Sequence, residues 1–196
     1  MKHSIIRLFG YSIIALLSGC FNEPEPAYKS VPAENRVYLS DKGLKALPEV
    51  NAKADYLNLD RNQLEKADGV EKLTGLKWLR LNDNKLAALP NLKGLVNLRR
   101  IYLRNNKFAA VPETLKDLPA LTDIDLSGNP VKEIPQWLVE KKGLKNLSFS
   151  RTKIVKLPEN LEAWTSLQCL QLGDLNISAA EMARIRSALP NVAIVF

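Results

Sequence analysis

Few of the side chains that usually carry out catalysis occur in this chain. Its 196 residues include one histidine, His3, and two cysteines, Cys20 and Cys169. Acyl-transfer sites of the Ser-His-Asp or Cys-His type need a histidine, which is also the commonest transition-metal ligand. The sequence shows no glycine-rich phosphate loop, no nucleophile elbow and no acidic cluster with metal-ligand spacing. It therefore predicts a protein that is not an enzyme and that uses no metal or cofactor.

Cys20 stands where its sulfur could receive a lipid. Lys2 and Arg7 give the chain a positive start, residues 8–17 are mostly apolar, and Leu17-Ser18-Gly19 precedes the cysteine. The apolar run is shorter than the ~20 residues that span a bilayer, so it predicts a signal peptide and not a membrane helix. Its ending resembles the lipobox of bacterial lipoproteins, a family in which this cysteine is diacylated and the chain is cut before it. The alternative is an ordinary signal peptide with a chance cysteine.

The lipoprotein resemblance divides the chain into three parts. Residues 1–19 form the signal peptide, which holds the only histidine, and residues 20–34 form a flexible tether rich in proline and glutamate. Residues 35–196 form the folded domain. With Cys20 consumed by lipid, Cys169 has no partner for a disulfide within the chain. The resemblance implies a lipid-anchored protein of the bacterial cell envelope, and the outer membrane is favoured because no aspartate follows Cys20.

Asparagines recur in the folded part at a nearly constant interval. Asn62, Asn84, Asn106 and Asn129 lie 22, 22 and 23 residues apart. Each stands in the frame L-x-x-L-x-L-x-x-N-x-L, written in full by Leu76-Lys-Trp-Leu79-Arg-Leu81-Asn-Asp-Asn84-Lys-Leu86. Alternating apolar and polar residues within the frame predict a short strand with one buried face. Because an amide side chain both donates and accepts, stacked asparagines can satisfy backbone groups in a tight turn.

The recurrence of this whole frame resembles the leucine-rich repeat family. The resemblance covers residues 35–196 and implies an α/β fold, a right-handed, horseshoe-shaped leucine-rich repeat solenoid with a parallel sheet on its concave side. Segments such as Leu89-Pro90 predict an irregular convex side, because proline interrupts regular helix. Residues 178–189 predict a C-terminal capping helix, with Ser178 as N-cap and Glu181 three positions on. Residues 191–196 predict a last strand.

The outward strand positions form the candidate binding surface, because this family usually binds partners on the concave sheet. These are the third, fifth and seventh positions of the frame. Aromatic residues occupy 4 of the 8 third and fifth positions in the first four strands, whereas they make up 7% of the chain. Tyrosine, tryptophan and arginine are also the residue types enriched at binding hot spots. The candidate partner-binding residues are Tyr38, Tyr56, Trp78, Arg80, Arg100, Tyr102 and Arg104.

A second interpretation of the same residues involves no partner. Aromatic rings suit strands and shield a sheet, and Arg100 and Arg104 would then pair with Asp123 and Asp125. The sequence leaves both interpretations open.

The charge balance allows more than one class of partner. Removing residues 1–19 leaves 26 basic and 21 acidic residues, a formal charge of +5. A basic excess favours anionic polymers or acidic proteins, although the charges here are interspersed as on an ordinary solvated surface. The leading hypothesis is a lipid-anchored module that binds another protein. The alternatives are a binder of anionic envelope glycan, such as cell-wall material or lipopolysaccharide, and a structural spacer; nucleic acid is not expected.

Overall fold

The repeats form one open parallel sheet. The computed structural model describes residues 31–196, in which eight strands follow each other across the sheet in chain order. The strands are β1 (Arg36–Tyr38), β2 (Tyr56–Asn58), β3 (Trp78–Arg80), β4 (Arg100–Tyr102), β5 (Asp123–Asp125), β6 (Asn146–Ser148), β7 (Cys169–Gln171) and β8 (Ala193–Val195). Each repeat therefore contributes one strand that pairs with the strand of the next repeat. This confirms the predicted solenoid with a parallel sheet.

The strand register aligns equivalent positions of the frame. Leu57 lies opposite Leu79, Leu79 opposite Ile101, and the same correspondence continues through the sheet. The fourth-position side chains of β2 to β7 are fully buried, because they face the interior of the solenoid. The third and fifth positions consequently point to the opposite face, as the alternation within the frame predicts.

The asparagine series joins each repeat to the one before it. Asn106 donates through Nδ2 to the carbonyl oxygens of Leu81 and Leu103, both at 2.9 Å, and its Oδ1 accepts from the Leu86 amide at 3.0 Å. Asn62, Asn84 and Asn129 make the equivalent bonds in their own repeats. These backbone groups face the interior where the chain turns, so without the amide they would be buried and unpaired. The predicted structural role of the asparagines is confirmed.

The convex side is irregular, as the prolines predict. It contains short 3₁₀ turns and one short helix, α1 (Gln136–Glu140). The turns at Glu113–Leu115 and the helix α1 each begin directly after a proline, Pro112 and Pro135. The remaining convex turns are Val70–Lys72 and Leu161–Ala163.

The C-terminal end is closed by the predicted capping helix, α2 (Ala179–Ala188). Ser178 Oγ accepts from the Glu181 amide at 3.1 Å, which confirms the predicted N-cap. The Glu181 carboxylate accepts at 2.8 Å both from the Leu157 amide and from Arg184. It thereby ties the helix to the preceding convex loop.

The N-terminal end is less completely buried. Among the residues of the first repeat that pack on the core, five are only partly buried: Val37, Leu39, Leu44, Leu47 and Val50. A 3₁₀ turn at Ala33–Asn35 leads into β1. The predicted signal peptide, Cys20 and most of the predicted tether lie outside the described residues. Within residues 31–196, no helix is long and apolar enough to cross a bilayer.

Candidate functional site

The sheet register places the candidate residues in two adjacent rows on the concave face. Tyr56, Trp78 and Arg100 are neighbours in the row of third positions. Asn58, Arg80 and Tyr102 are neighbours in the row of fifth positions. Since adjacent strands are ~4.8 Å apart, side chains of one row can touch. The geometry therefore brings six of the seven candidates, Tyr38, Tyr56, Trp78, Arg80, Arg100 and Tyr102, onto the first four strands.

Three aromatic rings form a continuous series, which we call the aromatic row (Tyr38, Tyr56 and Trp78). The ring centroids of Tyr38 and Tyr56 are 5.4 Å apart, and those of Tyr56 and Trp78 are 5.9 Å apart in an edge-on arrangement. Such offset and edge-to-face pairs are favourable beyond the area they bury. The guanidinium carbon of Arg100 lies 4.8 Å from the Trp78 ring centroid, which extends the row with a cation–π contact.

The concave arginines are ion-paired within the sheet. Arg80 approaches Asp60 to 2.7 Å, Arg100 approaches Asp123 to 3.8 Å, and Arg104 approaches Asp83 to 3.7 Å. The Arg100 pair is the one that the partner-free interpretation expects. Arg104 differs from that expectation in part, because its ion pair within 4 Å is with Asp83 on the turn of the previous repeat, while Asp125 interacts with its charge at a longer distance. The positive charge of this surface is thus largely balanced in place.

The aromatic row is more buried than the sequence predicts. Tyr56 and Trp78 are only 3% and 7% exposed, whereas Tyr38 is 53% exposed. The two buried rings form a small apolar cluster with Val31, separate from the main core. Val31 belongs to the segment assigned to the tether, and it was missed because a single valine in a polar, proline-rich stretch gives no periodic signal. Trp78 is therefore a covered ring and not a solvent-exposed one.

The later strands carry a polar network instead of aromatic rings. Asp125 Oδ1 accepts from the Ser127 amide at 2.9 Å and from Ser127 Oγ at 2.6 Å. The Ser127 hydroxyl also bonds Ser148, which donates to Gln171 Oε1 at 3.2 Å. Burial raises the pKa of Asp125, and the bonds from Ser127 oppose that rise. Within residues 31–196, no group of three or more histidine, cysteine or acidic residues could hold a metal ion.

Cys169 corrects one expectation from the sequence. It lies in the row of third positions on β7, is 2% exposed and is disulfide-bonded. The expectation of a thiol without a disulfide partner in the chain assumed that lipid consumes the Cys20 sulfur. A sulfur atom cannot hold both a lipid thioether and a disulfide. Cys20 can therefore carry lipid only when it is not the disulfide partner of Cys169.

Comparison with known proteins points to one repeat architecture. A family model described as leucine rich repeat matches residues 74–131. The structure of a leucine-rich repeat protein from Leptospira interrogans is similar to this chain at 25% sequence identity and a TM-score of 0.64. The similarity covers 78% of this chain and 46% of that protein, so the chain spans less than half the length of its relative. A search of curated proteins gave no match.

Proposed function

Because the chain is a leucine-rich repeat protein, we propose that it is a non-catalytic binding module that recognises another protein through the concave sheet. The observation that carries this proposal is the aromatic row with Arg100 stacked on Trp78. Rings held by their neighbours lose little conformational freedom on binding, and tryptophan, tyrosine and arginine supply most hot-spot residues in protein interfaces. A fold alone does not identify a partner, so the argument rests on this surface.

The ion pairs make a protein partner preferable to an anionic glycan. A surface for an anionic polymer needs positive charge that is not neutralised nearby. Here Arg80, Arg100 and Arg104 each have a carboxylate within 4 Å. Binding an anion would require these ion pairs to break, and the free energy lost with them would offset part of the free energy gained from the new contact. Complementary, balanced charges with aromatic anchors instead suit a protein surface of mixed polarity.

Exchange of one residue tests the concave site. The partner is first captured from envelope extract with the mature chain, and its affinity for purified variants is then titrated. Trp78→Ala is expected to weaken binding by about 2 kcal/mol, or about 30-fold, as for a buried anchor. The matched control is Trp137→Ala on the convex side, where the indole donates to Glu113 at 2.8 Å; it should bind normally. The opposite ranking of the two variants would place the site on the convex side.

We further propose that the mature protein is held at the bacterial envelope, favouring the outer membrane, by lipid on Cys20. The support is the lipobox-like Leu17-Ser18-Gly19-Cys20 ending. Two or more acyl chains anchor a protein stably, since each buried methylene contributes ~0.8 kcal/mol. Intact-mass measurement of the protein from membranes decides the matter. Acyl mass on a chain that starts at Cys20 is expected; a chain without it, with Cys20 and Cys169 recovered as one disulfide-linked peptide pair, would refute the anchor.

A further inference from the structure

The first repeat is shorter than the repeats that follow it. β2 begins 20 residues after β1, whereas each later strand begins 22 to 24 residues after its predecessor. The shortening falls on the convex segment, because the turn residues Lys42 and Asn62 stand at the same distance from the strands that precede them. The convex side of the first repeat therefore has fewer side chains with which to cover the second.

A recurring backbone hydrogen bond shows which side chain is missing. The amide of the first residue of a frame donates to the carbonyl three residues earlier: Leu76 to Leu73, Leu98 to Leu95, Leu121 to Leu118 and Leu167 to Trp164. The four acceptor residues are large and apolar, and none is more than 3% exposed. In the first repeat, the equivalent bond runs from the Ala54 amide to the Asn51 carbonyl at 3.0 Å. Asn51 is exposed, so a polar residue stands where four later repeats bury a large apolar one.

A groove opens next to Asn51 on the convex side. Its volume is about 570 Å³, and it lies between residues 47–52 of the first repeat and residues 68–73 of the second. Leu47, Val50 and Leu73 contribute apolar surface to it, and the first two are only partly buried by the rest of the chain. The volume falls within the range of ligand-binding clefts. The short first repeat thus leaves a partly apolar groove where a further leucine would otherwise pack.

The rim of this groove is acidic. Glu49, Asp68 and Glu71 line it together with one basic residue, Lys72. Glu49 and Asp68 are exposed, and within residues 31–196 neither carboxylate takes part in an ion pair or a hydrogen bond. Glu71 accepts from the Gly69 amide at 2.8 Å. Because the chain as a whole has 28 basic and 21 acidic residues, the negative charge here is a local feature that favours a cationic partner.

We propose that the convex groove binds a segment of another polypeptide in which leucine lies beside lysine or arginine. The leucine side chain packs against Leu73 and removes the apolar surface of Leu47 and Val50 from water. The basic side chains lie against the carboxylates of Glu49 and Asp68. This inference goes beyond the concave binding function, because it gives the chain a second surface for a partner of different chemistry.

A titration with short peptides tests the chemistry of the partner. A terminally blocked Lys-Leu-Leu-Lys peptide is added to the mature chain labelled with nitrogen-15, and amide signals are followed by NMR. The signals of Gly69 and Leu73 should shift, whereas that of Gly128 should not. Blocked Glu-Leu-Leu-Glu and Lys-Ser-Ser-Lys peptides should each bind about tenfold more weakly or worse, because each lacks one of the two features. Equal binding by either peptide would overturn the proposed partner.

Charge reversal on the chain tests the acidic rim. The double variant Glu49→Lys with Asp68→Lys should weaken the binding of Lys-Leu-Leu-Lys about tenfold, because the rim then repels the peptide. Glu65→Lys is the matched control, since Glu65 is an exposed carboxylate of the second repeat that does not line the groove. It should bind the peptide as the wild type does. Unchanged affinity in the double variant would overturn the electrostatic part of the proposal.

Restoring the missing side chain tests the origin of the groove. In Asn51→Leu, the new leucine should take the place that Leu73 and Leu95 have in their repeats. It should raise the melting temperature by about 2–4 °C and abolish the shifts caused by the peptide. Asn51→Ser is the control: a serine hydroxyl can still accept from the Lys53 amide, as Asn51 Oδ1 does at 2.9 Å, and the groove stays open. Peptide binding by Asn51→Leu as tight as by Asn51→Ser would overturn the proposal.

Two further measurements separate this groove from other occupants and from the concave site. Self-association of the wild-type chain in analytical ultracentrifugation, lost in Asn51→Leu, would assign the groove to a second copy of the chain and overturn the basic partner. Trp78→Ala should bind Lys-Leu-Leu-Lys as tightly as the wild type, because Trp78 lies on the concave face. Weaker peptide binding by that variant would place the peptide on the concave sheet and overturn the second site.

Discussion

The turn asparagines of the central repeats each bond backbone groups of two repeats. In the middle of the series, Asn106 is 7% exposed and bonds three buried backbone groups across two repeats. Its neighbour Lys107 has an exposed side chain, although its backbone amide bonds Leu86. The two positions therefore differ in side-chain role while sharing the same turn.

We expect Asn106→Ala to lower the free energy of unfolding by about 1–3 kcal/mol, because it leaves buried carbonyls and an amide unpaired. Lys107→Ala should change it by less than ~0.5 kcal/mol. Chemical denaturation of both variants provides the comparison. Equal losses of unfolding free energy in the two variants would mean that the asparagine side chain does not stabilise the turn.

A second residue-scale feature precedes the asparagines. The position before each turn asparagine or its equivalent has a positive φ: Asp41, Arg61, Asp83, Asn105, Gly128, Arg151 and Asp174 lie between 53° and 69°. Only one of them is glycine, so the turn stores backbone strain at the others. At Gly128 an added Cβ would collide with Oδ1 of Asn105 in the previous repeat.

Gly128→Ala is accordingly expected to destabilise the protein by about 2 kcal/mol, from the strained φ and the collision together. In an Asn105→Ala background the collision disappears, and the cost should fall to about 1 kcal/mol. A double-mutant cycle measured by urea denaturation gives the coupling. Strict additivity would show that the neighbouring amide moves aside at no cost.

At the scale of elements, the capping helix is attached through a charged clamp. Arg184 bonds the carboxylate of Glu181 and also the carbonyl oxygens of Leu157 and Pro158, at 2.9 and 3.1 Å. The bond from Arg184 to the carboxylate lowers the pKa of Glu181, burial opposes it, and the Leu157 amide lowers the pKa further. A carboxyl group with a lowered pKa stabilises the folded state above its unfolded pKa of about 4.3 and loses that contribution as the pH falls through its folded pKa.

Glu181→Gln should therefore lower stability at pH 7 by about 1–2 kcal/mol and make the decline of stability below about pH 5 shallower. Glu159→Gln is the control: its carboxylate also faces Arg184, at 3.7 Å, but it is 74% exposed. Thermal melting across pH 2.5–7 in steps of about half a unit compares the two. If the melting temperature of Glu181→Gln falls with pH as steeply as that of the wild type, Glu181 does not contribute to the pH dependence of stability.

Strands, register and caps could be predicted from the sequence because each follows a repeated or local pattern. The frame places Leu57, Leu79 and Ile101 in one row. The N-cap follows from local sequence, because Ser178 accepts from the amide of Glu181, three residues later. The covering of Trp78 could not be predicted, because Val31 reaches it from outside the repeats. The pairing of Arg104 with Asp83 could not be predicted either, because it joins turn residues of neighbouring repeats and the frame does not fix the direction of their long side chains.

At the scale of the whole molecule, burial is uneven along the solenoid. Core side chains of the central repeats, such as Leu98 and Leu103, are fully buried, whereas those of the first repeat are only partly so. Because each repeat contacts mainly its neighbours, local stability follows local burial.

We expect backbone amides of residues 36–50 to exchange with solvent faster than those of residues 98–115. Hydrogen exchange followed by mass spectrometry measures this directly, with residues 179–188 of the capped end as an internal reference. Uniform protection from β1 to α2 would show that the first repeat is as stable as the centre.

The direction of the asparagine bonds has an evolutionary consequence. The side chains of Asn84, Asn106 and Asn129 each bond backbone groups of the repeat before them, and none of the three bonds the repeat after it. A duplicated repeat inserted in the interior thus arrives with the side chain that its predecessor needs. Loss of a terminal repeat breaks bonds at either end: without the first repeat, the Asp55 amide loses the Asn35 carbonyl and the Asn62 side chain loses the Leu39 carbonyl. Duplication of an internal repeat therefore preserves these bonds, whereas deletion at either end breaks some of them, and lineages should vary in length by the gain of internal repeats while keeping both end repeats.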